Sequence, residues 1–261
     1  VTGGGSYCPG EIFPQVEIEL EGTPNWSLTY WDGINLPVTE TVSSSPYIIS
    51  SGADGDYSVI SLTDDNGCAA TSLGGSVNVL TNDLPTATLS IVGANTICAG
   101  ETPPDISIAL TGTGPWDFVY SDGTETITVT NEATSPYVIP GAADGTYSLV
   151  SVTDATTCSG TFGGTETVTT NPIPAAPTAG TDATYCFGES IADLFAAGTD
   201  LNWYSDASLI TSIPGTIAIT PSNVLGATSY YVTQTVNNCT SVATEVIVTI
   251  NDVPTITNIA F

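Results

Sequence analysis

The sequence contains no lysine, arginine, histidine or methionine in 261 residues. Against this absence stand 27 aspartate and glutamate residues, so the formal net charge at neutral pH is −27. An ordinary soluble domain carries roughly a quarter of its residues as charges of both signs. Here charged residues make up 10 % of the chain, and all have the same sign. The missing cations exclude every site that depends on an ammonium, guanidinium or imidazole side chain.

Two classes of function lose their chemical basis because the basic residues are missing. Nucleic-acid binding draws most of its affinity from Lys and Arg on phosphates, and docking on anionic lipid needs a polybasic segment. The chain also has no apolar run near the roughly 20 residues that span a bilayer. A pair of carboxylates could still serve a glycosidase, but no such pair stands outside a turn motif. We therefore predict no catalytic residues, no enzyme activity, no nucleic-acid partner and no membrane insertion by this segment.

The residues that are present favour a folded all-β protein. Apolar residues make up 41 % of the chain and the mean hydropathy is +0.22, which is unlike an acidic disordered segment. Threonine, valine, isoleucine and tyrosine favour strands. The 26 glycines and 17 prolines supply the turns between them.

The chain repeats itself at a spacing of about 90 residues. The segment from Cys8 to Cys68 aligns without a gap with the segment from Cys98 to Cys158. Each copy opens on a C-x-G-E motif, which we call the opening turn, and ends on a cysteine that follows an Asp-containing turn, the closing turn. A divergent third copy runs from Cys186 to Cys239.

Short segments called joints connect the copies, at 82–85, 171–174 and 251–254. The predicted domains are residues 1–85, 86–174 and 175–254, with 255–261 as the first strand of a further repeat. The first copy lacks almost all of this opening strand. The sequence has neither an initiating methionine nor a signal peptide, and we interpret it as a piece of a longer secreted protein.

Within a copy, apolar and polar residues alternate, as in half-buried strands. The second copy divides into seven strands, at 87–93, 105–112, 116–121, 125–130, 136–140, 146–153 and 161–170. Seven short strands without helical periodicity predict an immunoglobulin-like sandwich. Proline-containing joints make poor flexible tethers. The predicted architecture is a tandem array of three immunoglobulin-like (PKD-like) β-sandwich domains forming a semi-rigid rod.

The tryptophans divide into two groups. Trp26 and Trp116 recur at one repeat position within a strand and are predicted to fill the core, with Trp203 near the corresponding place. Trp31 has no aromatic counterpart, because Ser121 stands at its position in the second copy. It is therefore the best candidate for a surface aromatic that could stack on a carbohydrate.

The six cysteines predict disulfides and an oxidising, extracellular location. Zinc knuckles need closely spaced ligands, usually with histidine, and the chain has neither. Because each copy contains one opening and one closing cysteine, we predict the bonds Cys8–Cys68, Cys98–Cys158 and Cys186–Cys239. This is one of 15 connectivities. The strand order alone does not show that the two cysteines of a copy meet.

The sequence also raises the possibility of bound calcium. Calcium prefers oxygen ligands such as carboxylates, and carboxylates that repel one another attract counterions. The candidate ligands are Asp54, Asp56, Asp64, Asp65, Asn66, Asp83, Asp182 and Asp252. No run matches the calcium-loop pattern of alternating acidic residues followed by glycine. Asp64-Asp65-Asn66-Gly67 is read more simply as a hairpin turn. The prediction is therefore no bound cofactor and no metal site.

The motifs resemble a known family of surface proteins. The C-x-G-E opening, the P-W-x-x-x-Y-x-D-G segment at 115–123 and the D-G-to-Cys ending at 144–158 are similar to PKD-like and Ig-like repeats of very large Bacteroidota proteins. These include the SprB-like gliding-motility adhesins and proteins exported by type IX secretion. Residues 175–252 look like the Ig-like module near the ends of such proteins. The resemblance implies export, attachment at the cell surface, and adhesion or filament building.

The expected function is a structural repeat segment of an extracellular bacterial adhesin or fibre, acting as a semi-rigid spacer. One alternative is a filament subunit assembled by end-to-end or strand-exchange contacts. Another is a carbohydrate-binding module that uses Trp31. The expected partners are neighbouring repeats of the same long protein, other copies in a filament, and surface glycans or other cells.

Overall fold

The computed structural model describes residues 1–180, 182–214 and 223–257. The described residues form 25 strands and no helix. Accordingly, they include no helix long and apolar enough to cross a membrane. The protein is all-β, as the sequence predicts.

Two sheets are built entirely from residues 2–81. The strands in this stretch are β1 (Thr2–Gly3), β2 (Gly5–Tyr7), β3 (Val16–Ile18), β4 (Trp26–Trp31), β5 (Val38–Val42), β6 (Tyr47–Ile49), β7 (Gly55–Thr63) and β8 (Ser76–Thr81). One sheet has the order β1-β3-β6 and the other the order β2-β8-β7-β4-β5. Strand β2 pairs with β8 in parallel, while β4 is antiparallel to both β5 and β7.

Residues 86–171 repeat this plan. Their strands are β9 (Thr86–Val92), β10 (Thr96–Cys98), β11 (Asp105–Thr111), β12 (Trp116–Ser121), β13 (Thr126–Glu132), β14 (Tyr137–Ile139), β15 (Gly145–Thr153), β16 (Thr161–Gly163) and β17 (Thr165–Asn171). One sheet has the order β14-β11-β9-β16. Strand β12 pairs with β13 and β15, and β10 runs parallel to the end of β17.

The remaining strands lie between residues 178 and 251. They are β18 (Thr178–Ala179), β19 (Ala183–Cys186), β20 (Ala196–Ala197), β21 (Leu201–Tyr204), β22 (Ser212–Ile213), β23 (Gly226–Val236), β24 (Cys239–Thr240) and β25 (Thr244–Asn251). The main sheet has the order β19-β25-β23-β21-β22, with β24 paired to β23. Strands β18 and β20 form a separate two-stranded sheet.

The cores lie where alternating apolar residues of facing strands meet. In residues 1–81, Val16 and Ile49 from one sheet pack with Trp26, Leu28 and other residues of the second sheet. This is the packing of a β-sandwich, in which each strand buries alternate side chains. The third stretch has its own core around Trp203, Val232 and Val248. Both predicted core tryptophans are buried, with exposed fractions of 4 % for Trp26 and 9 % for Trp116, and Trp203 of the third copy is buried as well, at 3 %.

The chain forms two compact units. The first contains Val1–Val92, Asp105–Pro140 and Gly145–Thr167, and the second contains Gly93–Pro104, Gly141–Asp144 and Val168–Phe261. The predicted boundaries 1–85, 86–174 and 175–254 follow the sequence repeats and differ from these units. The division into three domains, like the rod, therefore stays a prediction.

The predicted strands of the second copy are found within a few residues of their observed positions. Two details differ: β10 was not predicted, and the last predicted strand is divided into β16 and β17 around Gly164, which has a positive φ of 95°. Of the strand predicted at 255–261, Thr255–Thr257 are described and form no strand. Residues 258–261 lie outside the described part of the chain.

Candidate functional site

The three opening turns have one geometry. In each, the cysteine N–H donates to the carboxylate of the glutamate three residues later, at 2.8 Å for Cys8 and Glu11, 2.8 Å for Cys98 and Glu101, and 2.6 Å for Cys186 and Glu189. In each, the glutamate N–H donates back to the cysteine carbonyl at 3.0 Å. The glutamate thus fixes the cysteine backbone, which explains why the motif requires it.

The closing turns of the first two copies also match. The Cys68 N–H donates to the Asp64 carboxylate at 2.9 Å, and the Asp64 N–H donates to the Cys68 carbonyl at 3.0 Å. The Asp64 carboxylate also accepts the Thr23 N–H at 3.4 Å. At the equivalent positions of the second copy, the buried Asp154 carboxylate accepts the Thr113 N–H at 3.0 Å. An isolated β-bridge closes each turn, between Thr63 and Ala69 or between Thr153 and Ser159.

The disulfides join one copy to the next. Cys8 is bonded to Cys158 and Cys98 to Cys239, with Cα–Cα distances of 5.5 and 5.6 Å. Each bond connects the opening cysteine of one copy to the closing cysteine of the following copy. Each also lies wholly inside one compact unit. The predicted bonds Cys8–Cys68, Cys98–Cys158 and Cys186–Cys239 are therefore wrong.

The position of the opening turn explains the error. Strand β2 runs parallel to β8, so that Tyr7 is in register with Thr81 and the Asn82 N–H donates to the Tyr7 carbonyl at 2.8 Å. The cysteine that follows Tyr7 consequently lies beside the joint leading to the next copy. The same parallel pairing puts Cys98 in register with Asn171. An opening cysteine therefore lies beside the joint that leads to the following copy, although its own closing cysteine is nearer along the chain.

The closing turn of the following copy lies beside the same joint. The Thr161 N–H donates to the Pro85 carbonyl at 3.1 Å, three residues after Cys158. At the next joint, the side-chain amide of Asn171 donates to the Asn237 carbonyl at 3.1 Å, and Cys239 Sγ is 4.0 Å from the Asn171 carbonyl oxygen. Both cysteines of a bond are therefore positioned by the joint that separates their copies.

Two cysteines remain as thiols. Cys68 is the closing cysteine of the first copy and Cys186 is the opening cysteine of the third, and both are exposed. By contrast, Cys158 and Cys239 have no exposed surface. The register of Cys186 with Asn251 repeats that of Cys98 with Asn171.

Two of the Asp-Gly carboxylates, those of Asp32 and Asp122, accept hydrogen bonds from the backbone of their own turns. Asp122 Oδ1 accepts the N–H groups of Thr124 and Glu125 at 2.8 and 2.7 Å. These bonds, that from Glu125 first, lower the pKa of Asp122. Hydrogen bonds from the backbone of Cys68 first of all likewise lower the pKa of Asp64. The backbone N–H takes the place that Lys and Arg have in other proteins.

Most of the calcium candidates take part in separate hydrogen bonds, several of them with residues far away in the sequence. Asp54 accepts from Thr81, Asp56 from Asn78, Asp64 from Cys68, Asp182 from Ile247 and Asp252 from Val253, while the Asn66 amide donates to Thr23. Asp65 and Asp83 are exposed. Within the described residues, no group of three or more Asp, Glu or Cys side chains is arranged to hold a metal ion.

Trp31, the candidate for carbohydrate stacking, is 37 % exposed. Its indole N–H donates to the Asn35 carbonyl. The neighbouring Ile34 and Leu36 are exposed at 68 % and 87 %. The result is a small apolar surface at the Asp32 turn, with the Trp31 ring only partly accessible.

One sequence family matches part of the chain. Residues 174–251 match the family described as "Ig-like domain CHU_C associated". No curated protein sequence is significantly similar to the chain. The match covers the third copy and agrees with the β-sandwich packing around Trp203.

Solved structures provide distant likenesses. A Ca²⁺-stabilised adhesin with which an Antarctic bacterium binds ice is 14 % identical, over 93 % of this chain and 70 % of that one, with a TM-score of 0.38. A 1.5-MDa bacterial ice-binding adhesin is 13 % identical over 94 % and 88 %, also at 0.38. A three-Ig segment of titin is 9 % identical over 95 % of both chains, at 0.45. At these identities and TM-scores the likenesses carry no inference about function. The fold is all-β, with an Ig-like domain at residues 174–251.

Proposed function

We propose that this chain is a structural repeat segment of an extracellular bacterial adhesin or fibre and acts as a semi-rigid spacer. The observation that carries the proposal is the placement of both disulfides across a joint. A bond inside one copy would stabilise that copy, whereas a bond across a joint restricts how two copies move. Restricted joints are what a spacer needs in order to hold a binding end away from a surface.

Three further features support this role. Disulfides persist in oxidising, extracellular compartments. The absence of lysine and arginine leaves trypsin-like proteases no cleavage site. The carboxylates are engaged in turns rather than gathered in a cleft, so the proposal includes no enzyme activity. The Bacteroidota origin and type IX export implied by the motifs belong to the same proposal.

Small-angle X-ray scattering of the oxidised and reduced chain tests the spacer role. The oxidised chain should give an extended profile that a single conformation fits. Reduction, or the double substitution Cys8→Ser with Cys158→Ser, should broaden the distribution of interatomic distances because the joint is released. An oxidised chain already as variable as the reduced one would contradict the proposal. Antibody labelling of intact, unpermeabilised producing cells tests the surface location, and label that appears only after permeabilisation would refute it.

A filament subunit is the second candidate, and a groove in the first copy favours it. A cavity of about 490 Å³ lies between Ile18, Leu20 and the segment 70–74. In the second copy, β9 pairs with the whole of β11 on one side and with β16 on the other. In the first copy, β1 takes the place of the end of β9 and pairs only with Val16 and Glu17 of β3, and Val1 lines the cavity. Strand β3 ends at Ile18, whereas its counterpart β11 continues to Thr111. The groove therefore has the edges that an added strand would pair with.

A peptide tests this groove directly. Residues 82–92 of the chain contain the joint and β9, the segment that fills the corresponding place in the second copy. If the groove accepts a strand, this peptide should bind the chain, and the substitution Leu20→Lys should weaken binding. A peptide with the same composition in scrambled order is the control. Equal binding of both peptides would exclude strand addition.

The carbohydrate-binding alternative depends on Trp31. Its test is a glycan array with the chain and the Trp31→Ala variant. Binding that disappears in the variant would favour this alternative over the spacer. The hydrogen bond from the indole to Asn35 gives Trp31 a structural role as well, so the variant's melting temperature must be measured in parallel.

A further inference from the structure

We infer that Cys68 and Cys186 are disulfide-forming sites for other repeats of the same kind, so that the bonds Cys8–Cys158 and Cys98–Cys239 belong to a longer head-to-tail series. Cys186 would bond the closing cysteine of a following repeat, and Cys68 the opening cysteine of a preceding one. The inference goes beyond the spacer role, and it depends only on the repeat organisation. The two proposals can fail separately. A rigid spacer can lack this series of disulfides, and the series can occur in a protein that is not a spacer.

Cys186 is equivalent to the two opening cysteines that are bonded. Cys8 and Cys98 open their copies, and both are bonded to the closing cysteine of the following copy. Cys186 stands in the same glutamate-fixed turn and has the same register beside a joint. The structure therefore holds the Cys186 backbone in the arrangement in which the other two opening cysteines are bonded.

The closing turn of Cys68 is likewise already formed. The Gly67 N–H donates to the Asp64 carbonyl at 2.9 Å, as the Thr157 N–H does to the Asp154 carbonyl at 2.9 Å. The Ala70 N–H donates to Leu62 at 2.8 Å, matching a bond of 2.9 Å from Gly160 to Val152. The backbone around Cys68 thus matches that of a closing cysteine that is bonded.

Independently of these turns, a groove lies beside Cys68. A cavity of about 230 Å³ is lined by Gly22, Trp26, Cys68 and Ala70, and Ala70 also lines the larger groove next to Ile18. In the second copy, Pro85 lies against Gly112 and Gly160, the counterparts of Gly22 and Ala70. The space next to Cys68 is therefore the place that a joint occupies next to Cys158.

A side chain at the Ala70 position is compatible with such a bond. At the corresponding position of the third copy stands Ser241, which is 5 % exposed, and its neighbour Cys239 is bonded to Cys98. The joint that reaches Cys239 differs in sequence from the one that reaches Cys158. Joints therefore adapt to the residue at this position.

The bond would form by thiol–disulfide exchange with a small-molecule disulfide. The Cys186 thiolate attacks this oxidant, which forms a mixed disulfide and releases one small thiolate. The thiolate of the closing cysteine then attacks the Cys186 sulfur and releases the second small thiolate. One S–S bond in the protein replaces that of the oxidant, and each protein thiol gives up one proton to solvent.

Two complementary variants of the full chain test whether a second molecule of this chain can supply the partner cysteine. The Cys68→Ser variant keeps the thiol of Cys186, and the Cys186→Ser variant keeps that of Cys68. In a buffer of reduced and oxidised glutathione, the mixed variants should give at least tenfold more disulfide-linked dimer than either variant alone. Digestion with a glutamate-specific protease and mass spectrometry should identify the Cys68–Cys186 peptide.

A tandem chain tests the adjoining repeat of the same polypeptide as the source. It consists of residues 1–254 followed by a second copy of residues 86–174. Cys186 should bond the appended copy of Cys158, leaving as thiols Cys68 and the appended copy of Cys98. The control is the tandem chain in which the appended copy of Cys158 is replaced by serine. In this chain Cys186 should react with iodoacetamide.

The two arms decide between the sources. A heterodimer from the mixed variants supports the inference for separate copies. A bond found only in the tandem chain supports it for neighbouring repeats of one polypeptide. The inference is overturned if Cys186 stays reactive in the tandem chain and the mixed variants give no more dimer than the single ones.

Discussion

Individual carboxylates of this chain are held by backbone N–H and hydroxyl groups. Asp154 is 6 % exposed, and besides Thr113 it accepts the N–H and hydroxyl of Thr156 at 3.0 and 2.6 Å. Burial by itself would raise the pKa of Asp154, but these hydrogen bonds lower it overall. A buried anion without a cation is tolerated because it is fully hydrogen-bonded.

The substitution Asp154→Ala should destabilise the protein by about 1–3 kcal/mol, since it leaves the Thr113 N–H and the N–H and hydroxyl of Thr156 without the acceptor that they share. The measurement is urea unfolding at neutral pH. The matched control is Asp65→Ala, an exposed position where the second copy already has Ala155. It should change the free energy of unfolding by less than about 0.5 kcal/mol. Equal effects of the two substitutions would contradict this role of Asp154.

The stability should fall in acid. The pKa values of Asp64, Asp122, Asp154 and Asp206 are lowered in the folded chain. A carboxylate with a lowered pKa stabilises the fold fully above its unfolded pKa of about 3.9 and loses this contribution as the pH falls through the folded value. The free energy of unfolding should therefore be nearly constant from pH 8 to pH 5 and should decrease below about pH 4.

Comparison with Asp154→Asn isolates one group. Asparagine cannot be protonated in this range, so the difference in stability between the chain and this variant should shrink as the pH falls below about 4. A difference that stays constant down to pH 2 would show that Asp154 keeps an ordinary pKa.

At the level of elements, the joint at Pro85 limits the size of the side chain that the neighbouring closing turn can carry. A Cβ atom at Gly160 would overlap the carbonyl oxygen of Pro85. The corresponding residue of the first copy is Ala70, which lines the groove. Closing turns of the same backbone geometry are thus subject to different packing constraints.

The substitution Gly160→Ala should cost about 1–3 kcal/mol, the usual range for overpacking. Because Pro85 and Cys158 share this contact, it should also slow reoxidation of the Cys8–Cys158 bond after reduction. The reciprocal substitution Ala70→Gly is the control and should leave reoxidation unchanged. Reoxidation at the same rate in both variants would show that the Pro85 contact does not align the cysteines.

The sequence predicts features that depend on neighbouring residues of one strand, and it does not predict features that depend on how distant segments pair. Ile106, Ile108 and Leu110 stand at every second position, which predicts that they are buried on one face of a strand. All three are buried. Trp26 and Trp116 could be assigned to the core because they recur at one repeat position within a strand, and both are buried. The partner of Cys8 could not be predicted, because repeat-equivalent positions do not show whether a cysteine meets its own copy or the next one. The parallel register of β2 with β8 decides this, and β10, the counterpart of β2, was itself not predicted.

For the whole molecule, the disulfides close loops that span two copies. The bonds join residues 150 and 141 positions apart. In the chain-entropy description, a loop of this length is worth about 5 kcal/mol to the folded state. Because each bond includes parts of two copies, unfolding of one copy is restrained by its neighbour.

Reduction should lower the melting temperature and should divide one cooperative unfolding transition into several. Differential scanning calorimetry with and without a phosphine reductant measures both. The control is alkylation of Cys68 and Cys186 in the oxidised chain, which should leave the transition unchanged because these thiols are exposed. A reduced chain that unfolds at the same temperature would refute a stabilising role of the cross-copy bonds.

Because the net charge is −27, the stability of the folded chain should increase with ionic strength. Calcium should have no effect beyond its contribution to ionic strength. Carboxylates that repel one another are screened by any salt. Calcium chloride and sodium chloride at equal ionic strength should therefore raise the melting temperature by similar amounts. A larger rise with calcium, reversed by a chelator, would instead show a specific calcium site.

The central claim is that each disulfide connects an opening cysteine to the closing cysteine of the following copy. Its most direct test is peptide mapping of the unreduced chain, with free thiols alkylated first and digestion by glutamate- and aspartate-specific proteases. The account predicts linked peptides for Cys8–Cys158 and Cys98–Cys239, with Cys68 and Cys186 alkylated. Linked peptides for Cys8–Cys68, Cys98–Cys158 or Cys186–Cys239 would contradict it.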